Sequence, residues 1–426
     1  MSELFDDFVW RGLVHDVTDQ ELAERLGTES LTAYVGFDPT ADSLQLGNLL
    51  GLVSLMRLQR AGHRPIVLAG GGTGLVGDPG GKSEERSLLS MDELEHNLKG
   101  IRLQLEGLLD FSPGPTQALL VDNGEWLWPL GLMEFLRDVG KHFTVNTMIN
   151  KESVRSRLEE REQGISYTEF SYMLLQAYDF LHLFDTYGCE LQMGGSDQWG
   201  NITMGVDLVR RLRGARAHAL TWPLVTNAAG EKMGKSAGNA IWLDPARTSP
   251  YQLFQYLVRA EDAKVGSYVR AFTFLERERI EELDALTRDA PERREAQRVL
   301  AWEVTALVHG AAEADRATRA AAVLFTEEIA SLDETTLLDV VAEAPSTDLG
   351  RTDLDGDGLS LVDALVATGL APSKSAARTV ISQGGAYVNN RREADPDRRL
   401  TTADALHGRY VVLRKGKQHQ HLLRFS

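Results

Sequence analysis

The chain has 426 residues, a net charge of −17, 43% hydrophobic and 25% charged residues. That length exceeds one ordinary core and calls for two or three domains of a soluble globular protein. No apolar run reaches the roughly 20 residues of a membrane helix. The opening Met1–Phe8 lacks the basic and apolar regions of a secretory leader, and the single Cys189 excludes an internal disulfide or a thiolate zinc site. A cytoplasmic location is expected.

In chain order, Ala33–Phe37 reads as a buried strand and Ser43–Arg60 as a helix, because Leu46, Leu49, Leu50 and Val53 recur at helical spacing. Between them Asp38-Pro39-Thr40 leads into Gln45-Leu46-Gly47-Asn48. Hydroxyl and amide donors with an uncovered backbone at Gly47 suit a polyphosphate. Pro65–Ala69 is a second strand. Gly72-Thr73-Gly74-Leu75-Val76-Gly77 fits a dinucleotide fingerprint, but Asp78-Pro79-Gly80-Gly81 continues the loop where that fingerprint must open a helix. The glycines before Lys82 miss phosphate-loop spacing by one residue. Ala118–Asp122 is a third strand. Further on, Tyr172, Gln176 and Asp179 stand at i, i+4 and i+7, a polar stripe on a helix otherwise rich in Met, Leu and Phe. Cys189–Met193 is strand-like and runs into Gly194-Gly195-Ser196-Asp197-Gln198. Leu220–Val225 precedes Lys232-Met233-Gly234-Lys235-Ser236, whose lysines are point charges suited to phosphate oxygens. Alternating strands and helices indicate a parallel α/β sheet, with ligands beyond the carboxyl ends of its strands.

From Thr248 to Ala344 the pattern is helical, as in Arg293–Val308 and Ala311–Leu324. Pro345–Gly358, rich in Asp, Gly, Ser and Thr, reads as a linker. Its Asp353–Gly358 run copies half a calcium loop, but Ala364 stands where the bidentate Glu is needed. Leu359–Ser426 reads as a small separate domain. Residues 371–426 hold 11 Lys and Arg against 4 Asp and Glu, a net +7, so the preceding residues carry −24. Polyanion contact is thereby expected at one end only. Lys374 and Arg378 share a helix face, and Arg391, Arg392, Arg414, Lys415 and Lys417 extend the patch.

The segments Gly36–Asn48 and Lys232–Ser236 together resemble the two signature motifs of class I aminoacyl-tRNA synthetases. With Ser171–Asp179 and Gly194–Asn201 added, the resemblance narrows to the bacterial-type tyrosyl-tRNA synthetases and extends over nearly the whole chain. It implies an α/β fold: a Rossmann-like parallel-sheet catalytic domain (1–247) binding ATP and tyrosine, then an α-helical anticodon-side domain (248–344). The linker 345–358 and a small basic α+β RNA-binding domain (359–426) would follow. The implied reaction activates L-tyrosine with ATP to tyrosyl-adenylate and transfers tyrosine to the 3′ end of tRNA(Tyr). ATP enters as substrate with accompanying Mg2+, and no protein-held metal is expected. A homodimer is implied, with Gly131–Asn150 as interface.

Carried over residue by residue, the resemblance assigns catalysis to Thr40, Gln45, Asn48, Lys82, Arg86, Lys232 and Lys235. Asp78, Tyr172 and Gln176 would hold the substrate ammonium, Gln198 its carboxylate, and Tyr34 with Asp179 its phenol, near Asn123 and Trp126. ATP would contact Gly36, Asp38, Gly47, Gly195, Asp197, Lys235 and Ser236. The tRNA would contact Lys374, Arg378, Arg391, Arg414, Lys415 and Lys417. Two departures stand out: the family usually has His where this chain has Gln45 and Asn48, and commonly Cys at Val35. They leave open a paralogue with weakened activation that acts as an RNA-binding or regulatory protein. A tryptophanyl-tRNA synthetase is the other alternative, although such enzymes typically lack the basic C-terminal module.

Overall fold

Six strands form the sheet on which the first unit is built: β1 (Asp16–Val17), β2 (Thr32–Phe37), β3 (Arg64–Ala69), β4 (Leu119–Asp122), β5 (Cys189–Gly195) and β6 (His218–Trp222). Their order across the sheet is β1-β6-β5-β2-β3-β4, all parallel except β1. The computed structural model describes residues 3–78, 90–151, 154–155, 158, 165–236, 239–323, 326–342, 344–416 and 419–426. Two compact units are present, residues 1–248 with 259–300, and residues 249–258 with 301–426.

In the first unit, the helix Leu49–Arg60 packs on β2, β3 and β5, and the helices Tyr167–Tyr187 and Trp199–Arg213 pack on each other and on β5. Gly205 lets the latter two approach closely, since a Cβ there would lie 2.9 Å from the Phe180 ring. A short hairpin, β7 (Lys235–Ser236) and β8 (Asn239–Ala240), follows β6. The expected strand at 220–225 is displaced toward its N-terminus, because Pro223 has no N–H to donate and the ladder stops at Trp222. The expected helix at 43–60 starts late, at a 3-10 turn Leu46–Asn48 followed by Leu49–Arg60. Its first residues are held in extended pairing: Leu46 N donates to Ile241 O (2.8 Å) and Leu243 N to Leu44 O (2.8 Å).

The boundary expected near residue 248 falls elsewhere. The helices Asp262–Phe272 and Arg277–Asp289 belong to the sheet-bearing unit. Two buried arginines tie them in. Arg11 donates to the carbonyls of Arg270 (3.2 Å) and Leu275 (2.8 Å), while Arg57 donates to that of Thr273 and pairs with Asp7 (3.4 Å). Cations at the last carbonyls of a helix are favoured by its dipole. Burial pulls the Arg57 guanidinium down to about 9, with Arg11 adding repulsion.

The second unit contains a five-stranded sheet, ordered β12-β11-β14-β15-β9. Its strands are β9 (Ser346–Leu349), β11 (Ala386–Val388), β12 (Arg391–Glu393), β14 (Tyr410–Lys415) and β15 (His419–Phe425), beside a small pair β10 (Leu359–Ser360) and β13 (Arg399–Leu400). The expected linker 345–358 is therefore part of the domain, since β9 pairs parallel with β15 and Ser426 N donates to Leu349 O at 3.1 Å. The Asn389-Asn390 turn, with φ of 46° and 62°, is also buried in the unit. Asn389 bridges Val412 N (2.9 Å) and Asp404 O (2.7 Å), and Asn390 donates to Thr326 O (3.0 Å).

Removing residues 359–426 would strip β9 of its partner and expose a strand edge. Truncation before Pro345 is expected to leave a monodisperse remainder, and truncation before Leu359 one that aggregates. Size-exclusion chromatography and thermal melting of the two truncations check this. Equal behaviour would mean that β9 is not integral to the sheet.

Candidate active site

Strands β2, β3 and β4 step one way across the sheet, and β5 and β6 step the other. The loops leaving β2 and β5 therefore diverge, which opens a crevice at the carboxyl ends of these two strands. A cavity of about 450 Å³ lies there.

Its deepest part is polar. Asp179, 1% exposed on the helix Tyr167–Tyr187, accepts from Trp126 Nε1 (2.7 Å) and Asn123 Nδ2 (2.9 Å). Asn123 is fixed in turn, its Oδ1 accepting from Gly72 N at 2.7 Å and its Nδ2 donating to Thr73 Oγ1 at 2.9 Å. Burial pushes the Asp179 carboxyl up to about 7, against the two donors that favour its charged form. Tyr34, on β2, is fully buried, packs edge-on against Phe180, and has a hydroxyl without a hydrogen-bond partner. Burial first, and Asp179 second, raise its pKa well above the usual phenol value, so it stays a neutral donor.

Higher up, Tyr172 Oη donates to both Asp38 oxygens (3.2 Å each), and Thr73 Oγ1 donates to Asp38 Oδ1 (3.1 Å). Gln198 Nε2 donates to Asp78 Oδ2 at 2.5 Å, while Asn201 Nδ2 reaches Gln176 Oε1 (3.1 Å) and Gln198 Oε1 (3.4 Å). The stripe of Tyr172, Gln176 and Asp179 thus faces the cavity, not solvent.

The rim is made by the two motif segments. Gln45 is the N-cap of the Leu46–Asn48 turn, and Asn48 reaches back from its third position, Oδ1 accepting from Gln45 N (2.9 Å). Gly234 has φ +96°, and a Cβ there would lie 3.2 Å from Gly47 N, so the two backbones are in contact. Ile241 N donates to Gly234 O at 2.8 Å, and Ile241 O accepts from Leu46 N. Lys232 Nζ forms an ion pair with Asp197 Oδ2 at 3.0 Å. The backbones of Lys235 and Ser236 continue into the β7–β8 hairpin.

Tyr34, Gly36, Asp38, Thr40, Gln45, Gly47, Asn48, Asp78, Asn123, Tyr172, Gln176, Asp179, Gly195, Asp197, Gln198 and Lys232 all line this one cavity. Lys82, Arg86 and Lys417 lie outside the described residues. In the second unit Lys374 pairs with Asp363 (2.7 Å), Arg378 with Asp397 (3.4 Å) and Arg391 with Glu327 (3.6 Å). Arg414 is not presented on a charged surface. It is 6% exposed, donates to Asn390 Oδ1 (3.1 Å) and Gly416 O (2.7 Å), and lies over the Tyr387 ring. Its place on β14 turns it toward the Asn389-Asn390 turn. Three residues were not expected at the site: Thr73, Asn201 and Gln192. The last lines the cavity from β5 with a buried Oε1 lacking a partner. Its signal was a polar residue between Leu191 and Met193, on a strand that also carries Glu190.

Residues 26–326 match the profile of the tRNA synthetases class I (W and Y), and residues 340–423 match a tyrosine–tRNA ligase SYY-like C-terminal domain. The fold is thus that of a class I aminoacyl-tRNA synthetase. A tyrosine–tRNA ligase of Roseiflexus castenholzii is 54% identical over 424 residues, covering 100% of both chains. One of Opitutus terrae is 52% identical, covering 97% of this chain and 98% of its own. The C-terminally truncated mitochondrial tyrosyl-tRNA synthetase of Aspergillus nidulans superposes with a TM-score of 0.68 at 32% identity, over 76% of this chain and 94% of that one. The chain belongs to the tyrosyl-tRNA synthetases.

The raised Asp179 carboxyl has a consequence for stability. Its pKa is about 7 in the folded protein and about 3.9 when unfolded. Below the unfolded value both states are protonated and nothing is lost. As pH rises toward 7 the unfolded chain releases this proton first, so stability falls across that window. Replacing Asp179 with Asn removes this dependence, and the melting temperature of the variant relative to wild type should rise from pH 4 to pH 7. A constant difference would mean that the carboxyl ionises normally.

Proposed function

We propose that the cavity holds tyrosine and ATP side by side and joins them as tyrosyl-adenylate, before the tyrosyl group passes to the 3′ end of tRNA(Tyr). The observation that carries this reading is the buried pair of Asp179 and Tyr34. A phenol can donate to Asp179 and accept from Tyr34. Phenylalanine would leave the Tyr34 hydroxyl unpaired and give Asp179 no third donor beyond Trp126 and Asn123, a penalty in a buried site. An indole brings one donor and no acceptor, which leaves Tyr34 unsatisfied and disfavours tryptophan.

The substrate ammonium takes the place of the Gln198 amide on Asp78. Gln198 is then released to meet the carboxylate, with Tyr172 and Gln176 closing around the amino group. The ribose hydroxyls engage Asp197 beside Gly195, and Lys232 leaves that carboxylate for the phosphates. A tyrosine carboxylate oxygen attacks the α-phosphorus, and the bond to the bridging oxygen of pyrophosphate breaks. Thr40, Gln45 and Asn48 donate to the charge that grows on the leaving group, with Lys82, Arg86, Lys235 and Ser236 assigned by family resemblance. Catalysis by positioning and preorganised donors needs no covalent intermediate on the protein. Further charge neutralisation comes with the Mg2+ that accompanies ATP. Lys374, Arg378 and Arg391, exchanging carboxylate partners for phosphates, are read with Lys415 and Lys417 as the tRNA-facing cations. Two copies are read as pairing through Gly131–Asn150, where Leu132, Met133 and Val145 are 69%, 76% and 57% exposed.

Tyrosine-dependent ATP–pyrophosphate exchange tests the reading, and its absence would refute it. Asp179→Ala and Tyr34→Phe should each reduce the preference for tyrosine over phenylalanine, by roughly ten- to a hundredfold for one unpaired buried group. An unchanged preference would overturn the pocket assignment.

Gln45 keeps a donor at the rim but cannot carry charge, unlike a protonated His. A neutral bond in place of a charge-assisted one costs about 1–2 kcal/mol, or roughly 5–30-fold in rate. Gln45→His is therefore expected to activate tyrosine faster with little change in tyrosine KM. Single-turnover adenylate formation measures this, and an unaltered rate would remove the electrostatic role given to residue 45.

A further inference from the structure

The Asp179 carboxylate depends on two donors that are held very differently. The Asn123 amide is locked by Gly72 N and Thr73. The Trp126 indole has one polar contact, its Nε1–H to Asp179 Oδ1, and that bond alone does not fix the plane of the ring. The ring face is covered by the His182 imidazole, with centroids 4.2 Å apart and planes within 16°. Asp179 and His182 are i and i+3 on the helix Tyr167–Tyr187 and project on the same side. One helix therefore holds the indole twice, at its N–H edge by a carboxylate and across its face by a ring. His182 is steadied in turn by its Nε2 beside Thr186 Oγ1, 3.4 Å away on the next turn.

We infer that His182 is a positioning residue for tyrosine selection: by stacking on Trp126 it holds the indole N–H on Asp179 and so keeps that carboxylate aimed at the substrate phenol. The inference rests on the assignment of the cavity floor to the tyrosine side chain. What the site needs from residue 182 is a flat face. Phenylalanine can supply one and leucine cannot, although leucine fills similar space.

The test uses the full-length protein and reads tyrosine- and phenylalanine-dependent ATP–pyrophosphate exchange. His182→Leu should raise the tyrosine KM and lower the preference over phenylalanine by roughly three- to tenfold, the factor that corresponds to one lost aromatic pair, with kcat nearly unchanged. His182→Phe should restore both toward wild type. In a Trp126→Phe background the same His182→Leu change should have little further effect, because the N–H that it positions is gone. Wild-type selectivity in His182→Leu, or an equal penalty in both backgrounds, would overturn the inference while leaving the activity intact. A wild-type protein without tyrosine-dependent exchange would instead overturn the assignment of the cavity, and the inference with it.

Discussion

A carboxylate in a dry site is the constraint around which the catalytic unit is arranged. Burying Asp179 without partners would cost several kcal/mol, and the network that satisfies it draws on three places in the chain. Asn123 and Trp126 follow β4, Thr73 follows β3, and Asp179 itself lies on the helix before β5. Satisfying this one group ties the segments that follow β3 and β4 to the helix before β5. The same arrangement leaves the buried Tyr34 hydroxyl without a hydrogen-bond partner beside it.

The upper part of the site is organised by backbone instead of side chains. Leu44–Leu46 and Ile241–Leu243 pair across almost the full length of the unit, and Gly234 rests on Gly47. Gln45 and Lys232 are therefore carried on one composite rim, so a shift of the lysine segment is felt at the donors of the first motif. This pairing also explains why the turn at Leu46–Asn48 tolerates Asn48. Its amide oxygen accepts from Gln45 N, a role that its side chain fills well whatever it also does for phosphate.

Much of the site was legible because its signals are local. The stripe at 172, 176 and 179 is a matter of helical period, and the strand into Phe37 is a largely apolar run. What escaped was non-local. No property of Arg11 or Arg57 announces that they cap carbonyls beyond residue 269, so the helices at 262–289 read as part of another domain. Ser346–Leu349 has the composition of a loop, and only pairing with β15 makes it a strand. Arg414 looked like its neighbours in the basic tail, but the side of β14 it occupies decides that it is packed. Nor did any motif announce that Tyr172 engages Asp38 while Asp78 holds Gln198.

The pairing of Leu44–Leu46 with Ile241–Leu243 also sets an order in time. A chain emerging from the ribosome presents its first motif early, yet the segment that holds it in place is made almost two hundred residues later. Contacts so distant in sequence form late, after the local helices and hairpins. Until Leu243 has been synthesised, the segment Leu44–Leu46 lacks the strand-like partner that holds it. The rim of the cavity thus depends on contacts between segments almost two hundred residues apart, the kind that slow the folding of a unit.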